Sequence, residues 1–271
     1  MQLFWNEEQE PLDEIKYWVP GTRKKFDDMR PLDAQYLPIF HAQADTLPEA
    51  LDALIICSDL QGHVKIGDEL ILLGEWLPTY LKAFLSTKFP DIDPKCVGIG
   101  LCGDMYASPA KRGGAGDVRQ VWAAFLKQFR WVAGVAGNHD LYGDNEQDLE
   151  DFRRLPGIHF LDGQVIEVDG LLLGGVSGIV GEKNKPFRVP ELLYFKRLEK
   201  VLSKSPDFLF LHESPSAEGM HGNPDIAEVL EKKTEGTLFC GHCHWRKVQV
   251  VYEKGFTVYN LDARVLLITR I

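Results

Sequence analysis

Six residues with metal-binding side chains stand at the ends of five short apolar runs in this chain. Residues 53–58 run into Asp59, and residues 96–102 into Gly103-Asp104. Residues 131–136 run into Gly137-Asn138-His139-Asp140, residues 208–211 into His212, and residues 237–240 into Gly241-His242-Cys243-His244. Asp59, Asp104, Asn138, His212, His242 and His244 together offer two carboxylates, an amide and three imidazoles. That mixture suits Mn²⁺, Fe, Zn²⁺ or Ni²⁺ better than Ca²⁺ or Mg²⁺. Six donors exceed the needs of one tetrahedral zinc. Two ions sharing a bridging carboxylate fit the set better, and two-metal centres hydrolyse phosphate esters by in-line displacement.

Such residues converge only if the apolar runs are neighbouring strands. Short apolar runs bounded by glycine and polar residues read as buried strands. In open α/β sheets ligands bind outside the carboxyl ends of the strands, so five ligand-tipped ends point to one crevice. Between them the 3.6-residue period marks helices: one after Asp117 through Phe129, one starting at Pro190 through Leu202, a short one around Ile226–Leu230, and one over Leu77–Phe84. Asp169-Gly170 predicts a hairpin within residues 165–177. After His244 the period changes to two over residues 247–252, 256–261 and 264–269, a C-terminal meander with a tight turn at Glu253-Lys254-Gly255. The expected fold is α/β (α+β): two packed mixed β-sheets flanked by helices, a four-layer α/β/β/α sandwich. Residues 51–271 form that domain. Residues 1–50, cut by Pro11, Pro20, Pro31, Pro38 and Pro48 and rich in aromatics, read as an N-terminal extension packed on it.

The net charge of −10 argues against binding long nucleic acid, because that affinity comes from Lys and Arg neutralising phosphates. A small phosphorylated substrate needs only local positive charge. No basic, apolar leader opens the chain, and no apolar stretch approaches the ~20 residues of a membrane span. Five cysteines, three of them inside expected buried strands (Cys57, Cys96, Cys102), speak against a disulfide framework. The expected compartment is the cytoplasm, away from membranes; the oligomeric state is left open.

The motifs Asp59-x-Gln61, Gly103-Asp104, Gly137-Asn138-His139-Asp140, His212 and Gly241-His242-Cys243-His244, in this order, resemble the calcineurin-like metallophosphoesterase family over roughly residues 53–250. The resemblance implies an enzyme with two divalent transition metal ions, Mn, Fe, Zn or Ni, with Mn favoured. Asp59, Gln61, Asp104 and His244 would hold the first. Asp104, Asn138, His212 and His242 would hold the second, with Asp104 bridging. A metal-bridging hydroxide would attack phosphorus in line and His139, as general acid, would protonate the leaving oxygen of a phosphate mono- or diester. Two departures matter. Gln61 stands where the family has His, a weaker and harder donor, with His63 two residues on as the alternative. Ala107 and Ser108 stand where protein phosphatases of the family have Asp-Arg, which argues against a protein phosphatase and leaves Asp140 or a backbone carbonyl to orient His139.

For substrate, a small phosphorylated molecule or nucleotide, two basic loops offer Lys111 and Arg112, and Lys183, Lys185 and Arg188. Two other readings use the same residues. A binding or scaffold protein on this fold could have lost activity through Gln61 and the missing Asp-Arg pair. Cys240-x-x-Cys243 could be a thiol-redox motif, but it needs a following helix to lower the thiol pKa, and residues 245–250 read as strand.

Overall fold

The computed structural model describes residues 1–21, 31–182 and 185–271. Its first sheet has ten strands in the order Ile158–Phe160, Trp131–Gly134, Val97–Leu101, Ala53–Ser58, Arg264–Arg270, Leu32–Ala44, Asp13–Pro20, His63–Ile66 and Glu69–Leu72, with Leu3–Phe4 paired to Leu32–Ala44. The second has six: Gln164–Val168, Leu171–Val176, Phe208–Leu211, Thr237–Cys240, Thr257–Asn260 and Gln249–Val251. The strands leading to Asp59, Asp104 and Asn138 are parallel neighbours in the first sheet, and those leading to His212 and His242 are parallel neighbours in the second.

Side-chain alternation divides the interior into three layers. In Ala53–Ser58, Ile55 and Cys57 face the outer helices of the first sheet, while Leu54 and Ile56 face the second sheet. The outer layer packs helices Leu73–Lys88 and Arg119–Gln128 through Leu77, Leu81, Val121, Trp122 and Phe125. Phe208, Phe210, Phe239 and Tyr259 fill the space between the sheets. Helices Glu191–Leu202 and Pro224–Glu231 cover the far face of the second sheet with Tyr194, Leu198, Ile226 and Leu230. Each fully buried side chain of this size contributes roughly 1.5–3 kcal/mol relative to exposure. The architecture is the expected α/β/β/α sandwich.

Three local expectations differ from what the chain does. Residues 1–50 are not an extension packed on a finished core: Asp13–Pro20 and Leu32–Ala44 are strands of the first sheet. Leu32–Ala44 runs antiparallel to Asp13–Pro20 and parallel to Arg264–Arg270. Pro38 pairs with Glu14 on one side and lies one residue before pairing with Arg264–Arg270 begins at Ile39↔Val265, so it does not interrupt that second ladder. The C-terminal strands are not one meander. Gln249–Val251 and Thr257–Asn260 form a hairpin at the edge of the second sheet, whereas Arg264–Arg270 crosses to the centre of the first, beside Ala53–Ser58. The helix assigned to Leu77–Phe84 starts at Leu73, so Pro78 lies inside it. The basic cluster Arg23-Lys24-Lys25 and Lys183 lie outside the described residues.

Candidate metal centre

The two sheets end on one rim, and there the ligand residues turn sharply. Asp59, Asp104 and His242 all have left-handed backbones, with φ of 54°, 56° and 68°. Such a conformation costs roughly 1–3 kcal/mol for a residue with a Cβ and persists only where its surroundings over-determine it. Here the surroundings are close backbone approaches that only glycine allows. A Cβ on Gly137 would lie 2.0 Å from Asp104 Oδ1, and one on Gly241 would lie 2.1 Å from Asp59 Oδ2.

Asp104 is the hub. Its Oδ1 accepts the His139 backbone N–H at 2.8 Å, and its Oδ2 accepts Gln61 Nε2 at 2.9 Å and faces His212 Nε2 at 3.4 Å. One ligand atom each of Asp104, His212 and His242 lies within 4.8 Å of the others. His212, with 0 % exposure, contacts the Cys102 carbonyl through Nδ1 at 2.8 Å. That contact puts the proton on Nδ1 and leaves Nε2 facing the centre as a donor atom, the usual arrangement behind a metal-bound imidazole. His212 Nε2 and Asn138 Oδ1 are buried without hydrogen-bond partners. A buried polar atom left unpaired costs about 1–3 kcal/mol and calls for an explanation. A divalent cation among Asp104, Asn138, His212 and His242 supplies one, and the donor set fits it. Burial alone would lower the His212 pKa, but Asp104 and the Asp59 charge outweigh it and raise the imidazole to about 10.

Asp59 lies at the other half of the centre. Its Oδ2 accepts Ser58 Oγ at 2.7 Å and the His242 backbone N–H at 3.0 Å. Burial, then the Asp262 charge, pushes its carboxyl well above the ordinary range. Gln61 reaches the centre, through its amide nitrogen. His63 is buried in the His63–Ile66 strand, opposite Trp18. His244 does not join the cluster: its side chain is 64 % exposed, with Nδ1 3.0 Å from Asp262 Oδ2.

His139 is half-buried behind the Lys111–Gly114 loop, its Cε1 3.5 Å from where a Cβ on Gly113 would sit. Asp140 does not contact its ring. Both Asp140 oxygens accept backbone N–H groups, from Asp104, Met105 and Gly137 at 2.8–2.9 Å. Asp140 is therefore a brace between the second and third ligand loops. A parallel pairing of Gly116-Asp117 with Asp140-Leu141 ties the basic loop to the same place.

A cleft of about 410 Å³ opens over Asp59, Gln61 and His244, lined by Tyr17, Tyr106, Lys111, Arg112 and Asp262. Lys111 makes no ion pair among the described residues. Arg112 is committed to the N-terminal strands: Nε donates to the Pro20 carbonyl at 2.7 Å and Nη2 lies 3.6 Å from Asp33. Arg188 lies outside this cleft, beside Gly181. Two residues of the rim were missed by the sequence reading. Tyr17 reaches the cleft only because residues 13–20 join the sheet. Asp262 follows residues 256–261, an alternating strand interrupted by Thr257 and Asn260, so it lacked the continuous apolar run that marked the other ligands. The thiol-redox reading does not fit: Cys240 is fully buried, burial pushes its thiol up to about 12, and no helix follows the motif.

Among the described residues no helix is long and apolar enough to cross a membrane. The sequence profile of calcineurin-like phosphoesterases matches residues 53–246. No curated protein sequence matches the chain. Among solved structures, the chain is similar to the NAD nucleotidase of Haemophilus influenzae, at 12 % identity and a TM-score of 0.41, over 78 % of this chain and 50 % of that one. It is also similar to AQ665 of Aquifex aeolicus, a protein of unknown function, at 13 % identity and a TM-score of 0.29, over 78 % and 89 %. The chain therefore spans half the length of the NAD nucleotidase. With the profile covering most of the chain and the five motifs gathered on one rim, the chain belongs to the calcineurin-like phosphoesterase family.

Proposed function

We propose that this chain is a metal-dependent phosphoesterase acting on a small phosphorylated molecule or nucleotide. The observation that carries this reading is the meeting of the buried Asp104 and His212 with the exposed His242, with His212 Nε2 and Asn138 Oδ1 left for an ion. Asp59, Gln61, Asp104 and His244 would hold one divalent ion; Asp104, Asn138, His212 and His242 would hold the other, with Mn²⁺ the favoured metal. When bound, the ions would supply Lewis acidity toward the phosphoryl oxygens and an activated water. His139 is tied by its backbone N–H to Asp104 Oδ1, which holds its loop beside that carboxylate, and its imidazole would give a proton to the leaving oxygen. Asp140 holds that geometry by fixing the backbones of Asp104, Met105 and Gly137. Lys111, which lines the cleft, would meet the phosphate; Lys183 and Arg188 are further candidates, and Arg112 shapes the wall.

The test is hydrolysis of bis-(p-nitrophenyl) phosphate and p-nitrophenyl phosphate by the Mn²⁺-loaded protein, with its metal content measured in parallel. His139→Ala should lower kcat by about 10²- to 10⁴-fold, the usual worth of general acid catalysis, with metal content unchanged. Asn138→Ala should lower both activity and metal content. The preferred ester separates diesterase from monoesterase. One observation favours a second reading, a binding protein on the same fold: His244 contacts Asp262 and does not join the cluster of Asp104, His212 and His242. Full metal loading without turnover on either ester would favour that reading.

A further inference from the structure

We propose that Asp262 is a third carboxylate ligand of the metal centre, serving the ion held by Asp59 and supplementing the weak donor Gln61. The inference rests on the phosphoesterase reading above. The chain crosses from the second sheet to the first at Leu261-Asp262-Ala263, with a left-handed turn at Ala263 (φ 50°). A parallel bridge between Ser58 and Asp262 sets Asp262 beside the end of the strand that delivers Asp59. Both carboxylates line the same cleft as Gln61 and His244. Asp262 is only 18 % exposed, and its backbone is held by its own N–H donating to Asn260 Oδ1 at 3.3 Å.

The carboxylate itself is only half engaged. Oδ2 contacts His244 Nδ1 at 3.0 Å, while Oδ1 has no partner among the described residues. The nearest buried cation, Arg264, is turned elsewhere: Nη1 donates to the Asn260 carbonyl at 3.1 Å and Nη2 to the Trp245 carbonyl. Two acids therefore share one pocket whose nearby arginines are bonded to other groups, Arg112 to the Pro20 carbonyl and Asp33 and Arg264 to the Asn260 and Trp245 carbonyls with His244 Nε2 3.5 Å away, and a divalent cation would stabilise the pair. The orphaned His212 Nε2 and Asn138 Oδ1 on the other side of Asp104 point independently to metal in the same centre.

Gln61 explains why the position takes another donor. It spends its amide N–H on Asp104 Oδ2 at 2.9 Å, and what it has left for an ion is only a neutral carbonyl oxygen, a weak donor. His63 is in the neighbouring strand and does not line the cleft. A third carboxylate makes the donor set harder, which favours Mn²⁺ or Fe over Zn²⁺.

Asp262→Asn is the discriminating variant, since Asn keeps the size and can still accept from His244 Nδ1–H but carries no charge. Mn²⁺ stoichiometry and affinity are read by calorimetry and elemental analysis, and exchange coupling of a Mn pair by electron paramagnetic resonance. The wild type should bind two ions and show a coupled pair. Asp262→Asn should keep one tight ion, bind the second at least about tenfold more weakly and lose the coupling. Gln61→His in that background should restore both. Wild-type protein that binds no metal would overturn this assignment together with the phosphoesterase reading. Two ions bound by Asp262→Asn within twofold of wild type would overturn the assignment alone and leave Asp262 as the residue that positions His244.

Discussion

At the scale of single residues, the centre depends on backbones that approach closer than any Cβ permits. Gly137 is the sharpest case, because its missing Cβ leaves room for Asp104 Oδ1 at 2.0 Å. Gly137→Ala must push the Asp104 carboxylate aside or move the third ligand loop. Both disturb the one residue that Gln61, His139 and His212 share. We expect Mn²⁺ affinity to fall by about tenfold or more, with unfolding midpoint lowered by an amount typical of overpacking, about 1–3 kcal/mol. Calorimetric Mn²⁺ titration beside urea unfolding separates the two effects, and wild-type affinity would remove Asp104 from its place as hub. The residues of this hub were legible in the chain because each sits at the end of an apolar run. What was not legible is how they divide their atoms. Asp140 looked like an orienting carboxylate for His139, yet its oxygens are taken by three backbone N–H groups of the turning loops. Backbone demand of that kind arises only once the loops are folded against each other, so no spacing in the sequence reports it.

At the scale of elements, the N-terminal strands carry the clearest consequence. Leu37 and Ile39 are fully buried on the helix side of the first sheet, and Ala42 and Ala44 on the inter-sheet side. That is a period of two, present in the sequence but obscured by Pro38 and by the mixture of polar residues that an inner strand of a half-covered sheet can carry. If residues 13–44 are sheet, Leu37→Ala opens a cavity in the main core and costs about 2–5 kcal/mol. A loss under 1 kcal/mol by urea denaturation would return the segment to the status of a covering. The hairpin at Asp169-Gly170 is different: its turn chemistry was legible, and both residues take positive φ, 50° and 85°. Asp169 also accepts from Arg130 and from Trp131 Nε1 across the sheet edge, and these contacts, Arg130 first, hold its carboxyl below the ordinary value. A depressed carboxylate contributes stability that is present above its unfolded pKa of about 3.9 and is lost as pH falls through the folded one. Asp169→Asn keeps the left-handed turn, which Asn tolerates, and removes only the charge. The variant should be slightly less stable than wild type at pH 7 and indistinguishable from it once the pH lies below the folded pKa. A difference that persists unchanged down to pH 2 would mean the contact matters through geometry and not through charge.

At the scale of the whole molecule, the sandwich was legible because five buried strands ending in polar residues leave few ways to pack, whereas the crossing of Arg264–Arg270 into the first sheet was not. A C-terminal strand with the right alternation fits either sheet, and only the exposed edge it would otherwise leave decides. That crossing also carries Asp262 onto the rim, so the topology shapes the charge of the centre. The chain as a whole carries −10. It stays negative even with two divalent ions bound, while the ions and Lys111 make the cleft locally attractive to phosphate. The two fields act over different distances. Repulsion by the whole surface is screened beyond a Debye length of about 10 Å at 0.1 M salt, while attraction at contact distance in a cleft is screened much less. Raising ionic strength from about 10 to about 150 mM should therefore raise kcat/KM for a dianionic monoester, on the order of twofold, with kcat unchanged. Lys111→Ala should lower kcat/KM severalfold at both salt concentrations without altering metal content. A kcat/KM that instead falls steadily with salt would show that the positive cleft governs encounter at long range, and that the acidic surface lies too far from the entrance to be felt by the substrate.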